Sequence, residues 1–422
     1  MRVFPRFVAQ VVCVTWLIGS SAARAEDAAI TLARALERAA AHHPALVVGE
    51  AALRAQAGRG AEAALRPQSS AELMVEDAAG TGDRRGFSSS QATLSLSHLF
   101  ELGDKREGRI AVARAEESLL RTEQDVRRLD VGAEVARRFV QTLLAQAQSD
   151  VATDALAGAH RTLAAVDKRV RNALAPAAEA VRAEVGLEQA KLDLEHAEHE
   201  LKGARQFLAA VMGEREVGFG RSAGSLLELG ETLPFEALEK RIESSPDFTR
   251  FADQARVRDA QIRLAEMRRR PDVRTQIGVR QYGDGDDVAL MAGVSVPIGS
   301  RRRAASGIEI ARAERAQVDA EKEAAFLTVR AQLFDQYQEL EHARLETRVL
   351  QDTVIPRLAD ALRKSEYAYQ RGRYSYLEWS QVQGDLFAAR RRLNEVTARF
   401  HTLRIEIERM SGERVALDGE SR

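Results

Sequence analysis

The feature that most constrains this 422-residue chain is an internal duplication. Proline and glycine residues that end or begin predicted elements recur in the same order in both halves, at offsets of 202, 204, 196 and 199 residues. A period near 200 residues is far longer than that of a solenoid repeat, so each copy is expected to be one large unit. We assign the copies to residues 26–214 and 232–412, with a linker at 215–231 and a tail at 413–422. The corresponding pairs are Pro44 and Pro246, Pro67 and Pro271, Gly103 and Gly299, and Gly213 and Gly412.

Each copy is expected to contain a very long helix. Small and aliphatic residues recur at intervals of seven from Val112 to Ala147, within a proline-free stretch from Asp104 to Arg171. This heptad pattern predicts close helix packing with a left-handed supercoil, and the helix would be about 100 Å long. Pro356 interrupts the corresponding stretch of the second copy, where we expect a kink or a lost hydrogen bond. The predicted long helices are 104–171 and 301–371, and the predicted return helices are 176–212 and 376–410.

Two strands precede each long helix. Val288, Leu290, Ala292 and Val294 alternate with their neighbours in the clearest of them, and Gly/Asp-rich turns at 80–86 and 283–287 connect the pairs. The predicted strands are long enough to cross a membrane at a tilt. Four strands cannot close a barrel and open edges are not tolerated in lipid, so the strands would be shared between protomers. The alternative is a soluble four-stranded cap packed on the helices. The predicted strands are about 69–79, 88–100, 272–283 and 286–298.

The composition and the N-terminal segment limit which classes of function are possible. The chain has 62 Lys+Arg against 63 Asp+Glu, which argues against a nucleic-acid binder. Its residues are 45% hydrophobic but only 5% aromatic, as in Ala- and Leu-rich packed helices. Arg2 and Arg6, an apolar run and Ala23-Arg24-Ala25 predict a signal peptide at 1–25. Cys13, the sole cysteine, lies in that segment and is not preceded by the small residues that a lipoprotein signal needs. We therefore predict no lipid anchor and no disulfide.

The ordered motifs resemble those of the TolC family of outer-membrane efflux channels. The resemblance covers nearly the whole chain after the signal peptide and implies a mainly α-helical fold with a small membrane β part. It further implies a homotrimer in the outer membrane of a Gram-negative bacterium. Four strands per protomer would complete a 12-stranded β-barrel in outer-membrane lipid, and the helical hairpins would form a periplasmic α-barrel. The matching segments are Thr31-Leu32, Ala35-Leu36, His43-Pro44-Ala45-Leu46, Leu65-Arg66-Pro67, Leu102-Gly103-Asp104-Lys105-Arg106 and Tyr369–Ser375.

Within that family, residues 101–113 are most similar to the outer-membrane subunits of cobalt-zinc-cadmium efflux systems. That similarity implies a passive exit duct for divalent heavy-metal cations. It would work with a periplasmic adaptor (membrane fusion protein) and an inner-membrane proton-driven pump of the RND type. The alternatives are the channel of a drug or type I secretion exporter, and a soluble periplasmic coiled-coil scaffold or adaptor. No catalytic constellation is visible, so neither an enzyme nor a cofactor is expected. His196-x-x-His199 has a ligand-like spacing, but chance explains it better in a charged helix, and no metal site is assigned.

The resemblance places function at the two helix-to-helix turns. They would dock the adaptor; the alternative is that they serve only as hairpin turns. Just beyond them, Glu179 and Glu378 lie 199 residues apart and would form an inward-facing acidic gate. Gln381 occupies the second position of that gate, where the family carries an acid, and Asp385 could add charge on the same helical face. The alternative is that these acids are solvated surface residues. The predicted tip residues are Asn172, Ala173, Leu174, Ala175, Gly372, Arg373, Tyr374 and Ser375.

Overall fold

A computed structural model describes residues 29–413 except 88, 284 and 286. The predicted signal peptide and residues 414–422 of the predicted tail lie outside the described residues. In the first copy the elements are α1 (Leu32–His42), α2 (Pro44–Ala63), β1 (Ser70–Glu76), β2 (Gln91–Phe100), α3 (Lys105–Arg171) and α4 (Ala177–Val211). In the second they are α5 (Phe235–Ser244), α6 (Pro246–Met267), β3 (Val273–Tyr282), β4 (Val288–Ser295), α7 (Ser300–Val349), α8 (Ile355–Gln370) and α9 (Tyr376–Met410).

The order of elements is the same in the two copies. Both run through two helices, two strands, a long helical stretch and a return helix. Pro44 and Pro246 each begin the second helix of their copy, at a position where a missing N–H is tolerated. The short first helices, α1 and α5, were not predicted as separate elements.

The long helical stretches differ in continuity. The first, α3, is uninterrupted over 67 residues. The second is divided into α7 and α8 by a π-helical turn at Leu350–Val354. Pro356 follows in the first turn of α8, where its ring cannot donate an N–H to the helical ladder. The expected interruption is therefore present, in the form of a widened turn.

The four strands form one antiparallel sheet in the order β1-β2-β3-β4. The copies are joined within it, because β2 pairs with β3. Leu73, Leu94, Val279 and Leu290 align across the strands and are all exposed. On the opposite face Arg280 Nε donates to Thr93 Oγ1 at 3.0 Å, and Gln276 Nε2 donates to Ser95 Oγ at 2.9 Å. The predicted alternation thus gives one apolar and one polar face.

Among the described residues, no helix combines the length and the apolar character that crossing a membrane requires.

The described residues form two large cores beside the long helices. Phe139, Leu208 and Met212 are buried in the first together with Ile405 of α9, and Ile242 and Phe400 are buried in the second. A glycine with positive φ ends each return helix against a corner of the chain. A Cβ on Gly213 would lie 2.6 Å from the carbonyl oxygen of His42, and one on Gly412 would lie 2.9 Å from Pro246 Cδ. Close backbone approach therefore requires glycine at both positions.

The first long helix also holds the two copies together, because α3 packs against both α2 and α6. Asp253 of α6 is only 1% exposed and accepts hydrogen bonds from Ser118 Oγ at 2.9 Å and Thr122 Oγ1 at 2.7 Å. Burial of the carboxylate would raise the pKa of Asp253, but hydrogen bonds from those two hydroxyls and from Arg256 outweigh it and lower the pKa. An ionised carboxylate therefore joins α6 to α3.

We expect Asp253→Asn to lower the free energy of unfolding by about 2 kcal/mol at pH 7, because charged hydrogen bonds to two hydroxyls are lost. Guanidinium unfolding followed by the helical circular dichroism signal measures it. The pKa of Asp253 is lowered in the folded state, so its carboxylate contributes to the free energy of unfolding above the unfolded pKa of about 3.9, and this contribution is lost as the pH falls below that value. The difference in the free energy of unfolding between the variant and the wild type should therefore become smaller below that pH.

The matched control is Asp259→Asn on the same helix, whose partly exposed carboxylate lies 3.2 Å from Arg315 Nε. It should change stability by less than about 1 kcal/mol. Equal losses in the two variants, or an Asp253→Asn difference that does not vary with pH, would contradict the role given to the buried charge.

Candidate functional site

The two helix-to-helix turns, 172–176 and 371–375, have the same backbone geometry. In the first, Leu174 N–H donates to the Arg169 carbonyl at 2.8 Å and Ala173 N–H donates to the Val170 carbonyl at 2.9 Å. In the second, Arg373 and Gly372 make the corresponding bonds, both at 2.9 Å. This pair of bonds is the Schellman motif, which closes a helix through one left-handed residue.

The left-handed residue differs between the turns. Gly372 has φ +72°, which glycine adopts freely. Ala173 occupies the equivalent place at φ +52°, where a Cβ costs about 1 kcal/mol. The second turn therefore has the residue that its geometry favours, and the first turn achieves the same shape at a conformational cost.

Arg169 links the two turns. Its Nη2 donates to the Leu174 carbonyl at 2.8 Å, and its Nη1 donates to the Tyr369 carbonyl. Its guanidinium carbon also lies 4.8 Å from the centre of the Tyr369 ring, within cation–π range. One arginine of α3 therefore binds the first turn and the last turn of α8 together.

A buried aromatic cluster lies directly behind the turns. Tyr369, Tyr376 and Trp379 are 1%, 8% and 4% exposed and pack with Val166 and Ala183. The rings of Tyr369 and Trp379 are stacked, with centroids 5.0 Å apart and planes 27° from parallel. None of these three aromatics, nor Arg169, was predicted from the sequence as a site residue. The available signal was the concentration of aromatics between 367 and 379 in a chain with few of them.

Glu179 and Glu378 both occupy the third position of their helices, but the capping residues before them differ. Ser375 Oγ accepts from the N–H of Glu378 at 3.3 Å, and Glu378 Oε2 accepts from the N–H of Ser375 at 2.8 Å, which completes a capping box. These bonds from the Ser375 backbone and hydroxyl lower the pKa of Glu378. Pro176 stands in the place of Ser375 and has neither an N–H nor a hydroxyl.

Glu179 instead binds the opposite copy. Its Oε2 accepts a hydrogen bond from the hydroxyl of Tyr369 at 3.0 Å. Burial raises the pKa of Tyr369, and the hydrogen bond to Glu179 raises it further, so the phenol stays protonated and remains a donor. This bond joins α4 of the first copy to α8 of the second.

The remaining predicted residues lie on the surface. Gln381 and Asp385 are exposed along the face of α9 that also carries Glu378. The predicted tip residues are exposed except for the half-buried Ala175, and Leu174 and Tyr374 present 64% and 43% of their surface. The tip therefore combines a rigid interior with an apolar and charged exterior.

His196 and His199 are both exposed on α4. His196 Nε2 lies 3.3 Å from Glu200 Oε1. Among the described residues, no group of three or more His, Cys, Asp or Glu side chains is arranged to hold a metal ion.

The sequence matches the outer membrane efflux protein family over residues 35–214 and again over 237–413. The cobalt-zinc-cadmium resistance protein CzcC of Cupriavidus metallidurans is 26% identical over 383 residues, covering 91% of this chain and 90% of that protein. The nickel and cobalt resistance protein CnrC of the same organism is 25% identical, with 85% and 79% coverage. Among solved structures, CusC superposes with a TM-score of 0.76 at 16% identity, covering 97% and 99% of the two chains. VceC of Vibrio cholerae gives a TM-score of 0.71 at 18% identity, covering 90% and 96%.

We expect Tyr369→Phe to loosen the tip while the fold persists, because the variant keeps the stacked ring and loses only the bond to Glu179. The acceptor of this bond is a carboxylate, which makes the bond stronger than one between neutral groups. Its loss should speed amide exchange in 172–176 and 371–375 about tenfold, which corresponds to about 1.4 kcal/mol in the free energy of local opening. Hydrogen exchange read by mass spectrometry measures this. Tyr367→Phe is the control, since Tyr367 is 52% exposed and only its ring lies near Arg371. Equal exchange in the two variants would contradict the assignment.

Proposed function

Because the chain belongs to the outer membrane efflux protein family, we propose that it is the outer-membrane exit duct of a three-part efflux system for divalent heavy-metal cations. The observation that carries the proposal is the four-stranded sheet, which has one apolar face and one polar face. Among the residues that the structure describes, no further strand pairs with the outer edges of β1 and β4. An open edge cannot remain in hydrocarbon, because its N–H and C=O groups would lack partners. The sheet must therefore be completed by other strands.

Membership of the family supports completion of the sheet by three copies. Three sets of four strands give a closed 12-stranded barrel whose apolar face contacts lipid and whose polar face lines a passage. The long helices continue this passage away from the membrane, at about 100 Å for a helix of this length. This arrangement supports a homotrimer in the outer membrane that reaches into the periplasm.

The tip supplies the contact with the periplasmic adaptor. Its exposed residues include Leu174, Tyr374 and Arg373, which offer apolar and cationic groups to the ends of the adaptor's helices. The inner-membrane proton-driven pump supplies the energy and selects the cargo, so the duct itself needs no tight metal site. Ions held firmly inside a passage would not leave it.

Two observations favour metal cations as cargo. The relatives named for resistance to cobalt, zinc, cadmium and nickel align with this chain over most of their length. The second is the line of Glu378, Gln381 and Asp385 along one face of α9. In a trimer, Glu179 and Glu378 would place carboxylates around one axis, and such rings attract cations.

We expect deletion of the gene to sensitise its host to divalent cations. The test is growth on zinc, cobalt, cadmium, nickel and copper beside a drug panel, with the wild-type gene restored as the control. Sensitivity to drugs alone would replace the metal assignment with a drug exporter's channel.

We also expect the protein to be extracted only with detergent and to run as a heat-sensitive trimer on a gel. Release as a soluble monomer on osmotic shock would overturn the channel in favour of a periplasmic scaffold.

The gate is tested by separating charge from capping at Glu378. Glu378→Gln keeps an acceptor for the N–H of Ser375 but removes the charge, whereas Glu378→Ala removes both. We expect both variants to lower cation selectivity in planar bilayers, and the alanine variant to raise single-channel conductance as well. Glu188→Gln on α4, whose side chain is exposed and lies beside Lys191, is the charge-matched control. Selectivity and conductance that match wild type in both Glu378 variants would reduce its role to capping.

A further inference from the structure

Two runs of arginine lie where the sheet meets the helices. Arg268–Arg270 follow α6 and lead into β3, and Arg301–Arg303 begin α7 just after β4. All six side chains are exposed, and within the described part of the chain none of them forms an ion pair. Other cations of the same region do have partners, since Lys105 Nζ lies 2.5 Å from Asp272 and Arg109 Nη1 lies 2.5 Å from Glu101. We call the two runs together the arginine collar.

The fold brings the two runs to a common cleft. Arg269, Arg270 and Arg301 line a cleft of about 880 Å³ beside the start of α3. Asp104 and Glu266 also border it, and Glu266 Oε1 lies 3.8 Å from Arg312 Nη2. Positive charge therefore exceeds negative charge around an open cleft.

Helix electrostatics explain one run but oppose the other. Arg268–Arg270 follow the C-terminal end of α6, where the helix dipole favours cations. Arg301–Arg303 occupy the first turn of α7, where the dipole disfavours them, and that turn contains no acidic residue. The residue before the helix is Gly299, which has no side chain to cap the first N–H groups. This second run therefore raises the energy of the isolated chain, and an anion at the helix start would lower it.

Apolar side chains adjoin the collar on the sheet side. Ile298 is fully exposed, and Val296 and Phe100 are 46% and 50% exposed at the same end of the sheet. An inorganic anion would gain nothing from these groups. A molecule with an anionic head and an apolar tail would contact the collar and these side chains together. Girdles of aromatic residues flank the apolar band of membrane β-barrels, and Phe100 occupies such a position in the proposed barrel.

We propose that the arginine collar binds the phosphate groups of anionic phospholipids in the periplasmic leaflet of the outer membrane. Guanidinium groups pair with phosphate through two parallel hydrogen bonds, which lysine cannot do. Ile298 and Phe100 contact the first methylenes of the acyl chains. The proposal rests on the proposed function, because the sheet must lie in a bilayer for the collar to reach headgroups.

The test compares Arg301→Gln/Arg302→Gln/Arg303→Gln with wild type, both as the full-length trimer in detergent. The control is Arg215→Gln/Arg348→Gln/Arg357→Gln, which removes three exposed arginines far from the sheet. Native mass spectrometry measures retained lipid, and thermal melting is followed with added phosphatidylglycerol, phosphatidylcholine or inorganic phosphate. We expect the collar variant to retain about tenfold less phosphatidylglycerol and to lose the rise in melting temperature that this lipid gives wild type. Without lipid it should melt at or above the wild-type temperature, because charge that opposes the helix dipole has been removed.

Three results would overturn the proposal. They are an unchanged phosphatidylglycerol response in the collar variant, an equal loss in the control variant, and an equal response of wild type to phosphatidylcholine or inorganic phosphate. A heat-stable monomer without a trimer would instead count against the proposed function. A trimer that restores metal resistance but shows no preference among lipids would reject the collar alone.

Discussion

The unpaired edges of β1 and β4 are the constraint on which the rest of the structure depends. A four-stranded sheet with one exposed apolar face can be buried in lipid only if its edges find partners. In the proposed trimer, each copy would therefore present its four strands in a fixed register to the next copy. The continuous pairing of β2 with β3 joins the two copies within the sheet. In the helical part, α3 packs against helices of both copies. The buried bonds from Ser118 and Thr122 to Asp253 fix α3 against α6.

Duplication followed by local divergence explains the tip. The backbone of the two turns is the same, but the residue before each return helix is Pro176 in one copy and Ser375 in the other. Serine recruits Glu378 to its own helix cap, and proline leaves Glu179 available to Tyr369. One substitution at a capping position therefore converts a local interaction into a bond between copies. This bond adds to the contacts that Arg169 makes with Tyr369, so the two copies are joined at the tip by more than one interaction.

The large elements could be predicted from the sequence because they follow from periodicity. Heptads between Val112 and Ala147 predicted α3, alternation predicted the four strands, and Pro356 marked the interruption of the second long stretch. The contacts of the tip could not be predicted in this way. Arg169 is separated from Tyr369 by 200 residues, and its role depends on where two hairpins meet in space. Periodicity indicates which face of a helix is buried, but it does not indicate which side chain of another copy lies opposite.

The placement of charge bears on how a cation would pass. The tip carries the exposed acids Glu378 and Asp385 beside the exposed cations Arg371 and Arg373, whereas the junction with the sheet carries the arginine collar. If the collar faced the passage, three copies of it would repel the cations that Glu378 and Asp385 attract, because the field of like charges grows in a confined low-dielectric channel. Apolar neighbours such as Ile298 would also gain nothing from an aqueous passage. Both difficulties disappear when the collar faces headgroups, so the charge of the proposed cargo and the exposed apolar rim independently favour the lipid-facing placement.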